Sequence, residues 1–123
     1  MVTTSTAVVF EQPGEMSVRR VQLPEPHATD CVVKVHWTGI STGTERLLWD
    51  GRMPPFPGLA YPLVPGYESV GSVVECGAET NVEVGQLVFI PGSRGFTDVH
   101  GLLGGAAHSL VVPAERLVKL PTE

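Results

Sequence analysis

Pro65-Gly66-Tyr67-Glu68-Ser69-Val70-Gly71, read with the earlier run Gly39-Ile40-Ser41-Thr42-Gly43-Thr44-Glu45, decides how this chain folds. Both runs set glycine among polar, chemically usable side chains, and both adjoin segments with a strand's period. Residues 31–38 alternate, with Val33, Val35 and Trp37 on one face and Val32, Lys34 and His36 on the other, which predicts a strand with one well-buried face. The glycine loop 39–44 follows, and Thr44 with Glu45 predicts the N-cap and first-turn acid of a short helix reaching Trp49. Residues 53–65 hold Pro54, Pro55, Pro57, Pro62 and Pro65 among Met53, Phe56, Leu59, Tyr61 and Leu63. That is a stiff apolar loop, neither helix nor central strand. Residues 68–76 then read as a strand interrupted at Gly71.

Outward from these segments the same grammar continues. Residues 7–10 and 16–21 are short strands around Gln12-Pro13-Gly14, and 23–30 is a connection rich in turn formers. Val84-Gly85-Gln86 turns into a strand at 87–90, residues 91–105 are loop, and 108–112 is a last strand before Val118-Lys119-Leu120-Pro121. Fourteen Gly and eleven Pro in 123 residues favour short strands over long helices. At least six strands at close spacing predict a mostly β chain, a partly open β-barrel with short helices. No period of 20–50 residues recurs, so the chain is not a repeat protein.

Composition narrows the function classes. A hydrophobic fraction of 42% with 17% charged residues describes an ordinary globular chain, long enough for one domain with a real core. A net charge of -5 without a basic stripe gives no footprint for nucleic acid. The apolar runs are too short to span a membrane, and no signal-peptide pattern opens the chain. Cys31 and Cys76 have no CxxC partner and read as reduced cysteines of a cytoplasmic protein. No GxGxxG follows a strand; Gly101-Leu102-Leu103-Gly104-Gly105 has the wrong spacing and no helical pattern after it.

Four segments, in order, resemble the medium-chain, alcohol-dehydrogenase-like oxidoreductases. They are the two opening runs, the turn Val84-Gly85-Gln86-Leu87-Val88, and the closing stretch from Gly104-Gly105-Ala106-Ala107-His108 to Val112-Pro113-Ala114-Glu115-Arg116-Leu117-Val118-Lys119-Leu120-Pro121. His108 takes the place of a usual Glu there. The resemblance implies a GroES-like substrate and catalytic domain over residues 1–123. It further implies a nucleotide-binding Rossmann domain outside this chain, which would hold most of an NAD(P) cofactor and carry any homo-oligomer contact. In zinc members the opening runs read roughly GxCGTD and PGHExxG, and their Cys and His bind the catalytic metal. Here Ser41 or Thr42 stands for the Cys and Tyr67 for the His, which implies the scaffold without zinc.

Within the family, GISTGTE (39–45), MPPFPG (53–58), YPLVPGYE (61–68) and HGLLGGAA (100–107) resemble a branch that acts on bacteriochlorophyllides. That implies a magnesium tetrapyrrole substrate whose 3-(1-hydroxyethyl) group is oxidised to acetyl. A zinc-less quinone or enoyl reductase of the same family is a second reading, and a non-enzymatic GroES-like binding module a third. The closing VPAERLVKLP, which leads into a cofactor domain in the family, speaks against the module.

Oxidising a secondary alcohol requires a hydride acceptor and a route for the hydroxyl proton, and zinc serves the proton by lowering the hydroxyl pKa. Ser41, Thr42 and Tyr67 are poor zinc ligands. Tyr67 is the candidate partner of the hydroxyl, although its phenol needs its reference pKa of about 10 lowered to act as a base; the alternative is a Tyr packed in a barrel. Thr44 is placed to start a proton relay as well as to cap. Glu68 is a supporting carboxylate near the site or a structural one beside an Arg. Trp49, Met53, Phe56 and Tyr61 suit a flat apolar ligand, or else anchor their own loop. His100, in a glycine-rich loop, is a candidate to touch substrate or ligate the macrocycle's magnesium. His36 reads as structural and His27 as solvated.

Overall fold

The computed structural model describes residues 2–101 and 103–121; Leu102 of the Gly101-to-Gly105 run lies outside the described residues. β1 (Thr4–Gln12) and β2 (Glu15–Gln22) form a two-stranded antiparallel hairpin. Pro13-Gly14 makes its tip, where Gly14 takes a φ of +79° that only glycine adopts cheaply. β3 (Asp30–Thr38), β4 (Ser69–Cys76), β5 (Leu87–Ile90), β6 (Ser109–Pro113) and β7 (Val118–Lys119) form the main sheet, in the order β6-β3-β4-β5-β7. Every pairing in it is antiparallel. One helix, α1 (Thr44–Asp50), follows β3, and a 3-10 turn, Ala114–Arg116, follows β6. The expected mostly β, partly open barrel with short helices is what the chain forms; β7 is one strand more than the pattern required.

The hairpin is laced to the rest by backbone bonds. Val8 N–H donates to the Ala106 carbonyl at 2.9 Å, and Phe10 and Leu63 exchange bonds of 2.8 and 2.9 Å. Between hairpin and sheet lies the main core, with Val9, Val33, Val88, Leu110 and Val112 fully buried. A smaller core of Phe10, Leu48 and Leu63, backed by Trp49, Met53, Leu59 and Tyr61, seats α1 against the hairpin. Phe10 and Trp49 meet edge-on there, ring centroids 5.4 Å apart.

Two expectations need correction. The alternation expected for 31–38 fails, because Val32 and Val33 are both buried while Trp37 is 77% exposed. Val33 faces the main core and Val32 a second cluster with Leu23 and Val111, so both faces of β3 are covered there. Nearer its end an extra residue, His36, bulges from the ladder between Val35 and Trp37 and re-aims the side chains beyond it. Nor does Gly71 interrupt β4, since it pairs with Val35 on one side and Val88 on the other. A Cβ there would come within 2.2 Å of the Lys34 carbonyl oxygen, so this glycine admits a close neighbour.

The long loop after β5 is pinned by charge. Asp30 is 2% exposed, and its carboxylate accepts Arg94 Nη1–H at 2.7 Å and the His27 N–H at 2.7 Å. Arg94 also donates to the Glu25 carbonyl at 2.9 Å. Among the described residues no helix is long and apolar enough to cross a membrane.

Candidate functional site

The two opening segments of the sequence meet in space. Gly39, just past β3, donates its N–H to the Glu68 carbonyl at 2.7 Å. A Cβ at Gly39 would lie 3.3 Å from both Cβ and Oε2 of Glu68, so glycine lets the Glu68 side chain lie against this turn. The buried Ser69 hydroxyl sits between Thr38 Oγ1 at 3.3 Å and the Gly105 carbonyl at 3.1 Å. Gly105 N–H and Ala106 N–H donate to the carbonyls of Gly66 and Pro65, each at 2.9 Å, which draws in the closing glycine segment. Gly66 has φ +100°, and a Cβ on it would meet the Ala106 nitrogen at 2.9 Å.

At the start of α1 the chain closes on itself. Glu45 N–H donates to the Ser41 carbonyl at 3.0 Å, and the Ser41 N–H donates in return to the Glu45 carboxylate. Ser41 Oγ accepts the Thr44 N–H at 3.4 Å. Thr44 is therefore not the N-cap: Gly43 holds that position without a side-chain bond, and Thr44 is the first helical residue. The loop's spacing leaves Ser41 outside the first turn with its oxygen toward an orphan N–H, so Ser41 takes the capping work. The Glu45 carboxyl titrates above its usual range, chiefly through burial, against the Ser41 N–H, and with Glu68's charge adding to the rise. Glu68 itself is exposed, and among the described residues it has no Arg partner. A buried structural carboxylate beside an arginine is found at Asp30 and not at Glu68, because burial at the base of β3 leaves Asp30 in need of a cation.

A cavity of about 570 Å³ opens between the hairpin tip, the 40–42 turn and α1. Phe10, Met16, Ile40 and Trp49 form its apolar wall, and Ser41, Thr42 and Glu45, with the charged Arg46 and Asp50, its polar side. That volume and mixture suit a small-molecule site. Met16 and Ile40 are 55% and 78% exposed. Met53 and Tyr61 pack against the small core; the Tyr61 hydroxyl donates to the Leu48 carbonyl, and burial pushes its pKa up. They back the wall and do not line it. Phe56 stands on the loop, 38% exposed.

His100 is exposed, and its backbone is fixed by bonds of 2.8 Å to Pro62 and from Val64. It bridges to Leu63, which bridges to Phe10, so His100 is two strand spacings, about 10 Å, from a cavity-lining residue. Tyr67 is half-buried and is not among the lining residues. Sequence reasoning missed Phe10, Met16, Ile40 and Glu45 as site residues. The one available signal was Ile40, an apolar side chain inside a glycine and hydroxyl loop.

The donors at the signature positions are the hydroxyls of Ser41 and Thr42, a phenol and one carboxylate. That set does not fit zinc, whose protein sites gather three or four ligands from Cys sulfur, His nitrogen and carboxylate oxygen, because only one donor here is of such a kind. Among the described residues no three His, Cys, Asp or Glu side chains gather to hold a metal ion. The described residues do not fit a dinucleotide cradle either, since α1 is seven residues long and carries Glu45 in its first turn, where its charge opposes a phosphate.

Residues 27–122 match the alcohol dehydrogenase GroES-like domain, and the chain belongs to that family. It is 48% identical, over 94% of its own length, to a 2-desacetyl-2-hydroxyethyl bacteriochlorophyllide A dehydrogenase of Cereibacter sphaeroides, of which it covers 38%. The protein of the same name from Rhodobacter capsulatus is also 48% identical, over 92% of this chain and 36% of that protein. The chain thus spans well under half the length of these relatives. Among solved structures, a short chain alcohol dehydrogenase from E. coli CFT073 in complex with NADH superposes with a TM-score of 0.74 at 25% identity, over 98% of this chain and 40% of that one.

Proposed function

We propose that this chain is the substrate-side domain of a zinc-independent, NAD(P)-dependent dehydrogenase that oxidises the 3-(1-hydroxyethyl) group of a bacteriochlorophyllide to acetyl. The observation that carries the reading is 48% identity along nearly the whole chain to proteins named for that activity. The NADH complex of the structural relative supports a nicotinamide cofactor. When bound, that cofactor supplies the acceptor for the carbinol hydride.

This chain's part is to seat the alcohol and move its proton. The apolar wall of Phe10, Met16, Ile40 and Trp49 receives one edge of the flat macrocycle, with Phe56 and His100 touching it from the neighbouring loops. Tyr67 takes the hydroxyl in place of a metal, and Thr42 or Ser41 with Thr44 passes the proton toward Glu45 and Glu68. A carboxyl with a raised pKa is a better proton acceptor than an ordinary one. Burial of Glu45 and the nearness of Glu68 support that direction of transfer.

The test is the full-length gene product with 3-(1-hydroxyethyl) bacteriochlorophyllide and NAD⁺ or NADP⁺. A product lighter by two hydrogens, one reduced nicotinamide per turnover, no stoichiometric zinc and indifference to chelators are expected. Reduction of quinones or enoyl substrates without alcohol oxidation overturns the substrate assignment. Zinc lost together with activity overturns the metal-free one.

A further inference from the structure

Cys31 and Cys76 are 45 positions apart in sequence and face each other directly across β3 and β4. The Gly77 N–H donates to the Asp30 carbonyl at 2.9 Å, on the outer flank of the pair. In an antiparallel ladder that makes 30/77 the hydrogen-bonded site and 31/76 the non-hydrogen-bonded one, where Cα atoms come to about 4.5 Å and side chains are closest. A disulfide accepts Cα separations of about 4.4–6.8 Å. Beside the pair the two chains are already pressed together, since a Cβ on Gly77 would lie 2.2 Å from the Ala28 carbonyl oxygen. Both cysteines are free thiols, with Cys31 buried and Cys76 half-buried. Cys76 lines a surface groove of about 290 Å³ with Pro26, Ala28, Glu75 and Gly77. Its thiol donates to the Val82 carbonyl at 3.0 Å. Among the described residues no third His, Cys, Asp or Glu joins the two sulfurs in a metal-ligand cluster.

We propose that Cys31 and Cys76 form a reversible cross-strand disulfide by exchange with a small-molecule disulfide that enters at the Cys76 groove. Cys76 loses its proton, and its sulfur attacks one sulfur of the reagent; a mixed disulfide forms and the first small thiolate leaves. Cys31 then loses its proton and attacks the Cys76 sulfur, displacing the second small thiolate. Two protein thiols are oxidised and one reagent disulfide is reduced to two thiols. The second step is the slow one, because burial pushes the Cys31 thiol up; with Cys76 still a thiol beside it the rise reaches about 11, and the burial part remains once Cys76 carries the reagent. Closure therefore quickens with pH well past neutrality, and the staple it leaves restrains the end of the main sheet away from the alcohol site.

The experiment treats native full-length protein with 2-hydroxyethyl disulfide at mildly alkaline pH, blocks residual thiols by alkylation, and digests with trypsin without reductant. Cleavage after Arg20, Lys34, Arg52 and Arg94 should yield peptide 21–34 joined to peptide 53–94, separated again by dithiothreitol. The oxidised protein should melt several degrees higher than the reduced one. Cys31→Ser should stop at a mixed disulfide on Cys76, while Cys76→Ser should leave Cys31 a free thiol. The proposal fails if wild type carries the reagent on Cys76 without the cross-link, if neither thiol reacts, or if the link forms only after denaturation.

Discussion

Ser41 and Glu45 hold each other across the first turn of α1: Glu45 N–H donates to the Ser41 carbonyl at 3.0 Å, and the Glu45 carboxylate accepts the Ser41 N–H. The bond fixes the turn that carries Thr42 and Gly43 at the edge of the cavity. It also keeps a carboxyl half out of water beside Glu68, which is why Glu45 titrates above its ordinary value of 4.5.

That shift has a signed consequence. A carboxyl with a raised folded-state pKa contributes stability that is complete below its unfolded value and is lost as pH rises through its folded value. Glu45→Gln retains an oxygen for the Ser41 N–H and removes the titration. Its stability relative to wild type should improve as pH rises from about 4 to 7, measured as the difference in urea midpoints. A difference that stays constant over that range would mean Glu45 ionises as an ordinary surface carboxyl.

Tyr67→Phe keeps the ring and removes only the hydroxyl. If Tyr67 partners the reacting alcohol, kcat of the full-length enzyme should fall by about 10²–10⁴, with the melting curve little changed. A loss below about threefold would leave Tyr67 as packing, because a missing proton-transfer partner cannot cost so little. Thr44→Val and His100→Ala would then separate the remaining candidates.

Trp49 and Phe56 should respond differently to truncation. Trp49 contacts Phe10 and forms part of the cavity wall, so Trp49→Ala should destabilise by about 2–3 kcal/mol as well as weaken substrate binding. Phe56 is exposed, and Phe56→Ala should stay within about 0.5 kcal/mol of wild type while raising KM. An unchanged KM for Phe56→Ala would remove that residue from the binding surface.

Asp30 and Arg94 supply a stability test independent of catalysis. Arg94→Met leaves the buried Asp30 carboxylate without its cation and should cost about 3 kcal/mol in chemical denaturation. Adding Asp30→Asn should recover part of the loss, because the uncompensated charge is gone. If the double variant is no better than the single one, lost packing of the Arg94 side chain explains the cost.

What the sequence determined by itself was the order of strands, the proline-stiffened loop and the family, since turn residues and signature segments are local information. It also disclosed the loss of the Cys and His donors, because their positions inside those segments can be counted. It did not disclose that Ser41 and not Thr44 satisfies the helix start, a matter of one residue in how the loop turns. The exposure of Trp37 follows a bulge at His36 in β3, and a bulge leaves no mark in an alternating pattern. The facing of Cys31 and Cys76, the pairing of Asp30 with Arg94 and the approach of Met16 and Trp49 to one cavity each join residues more than 30 positions apart. Such contacts follow from strand register and from burial that leaves a charge needing a partner, and only the folded chain sets both.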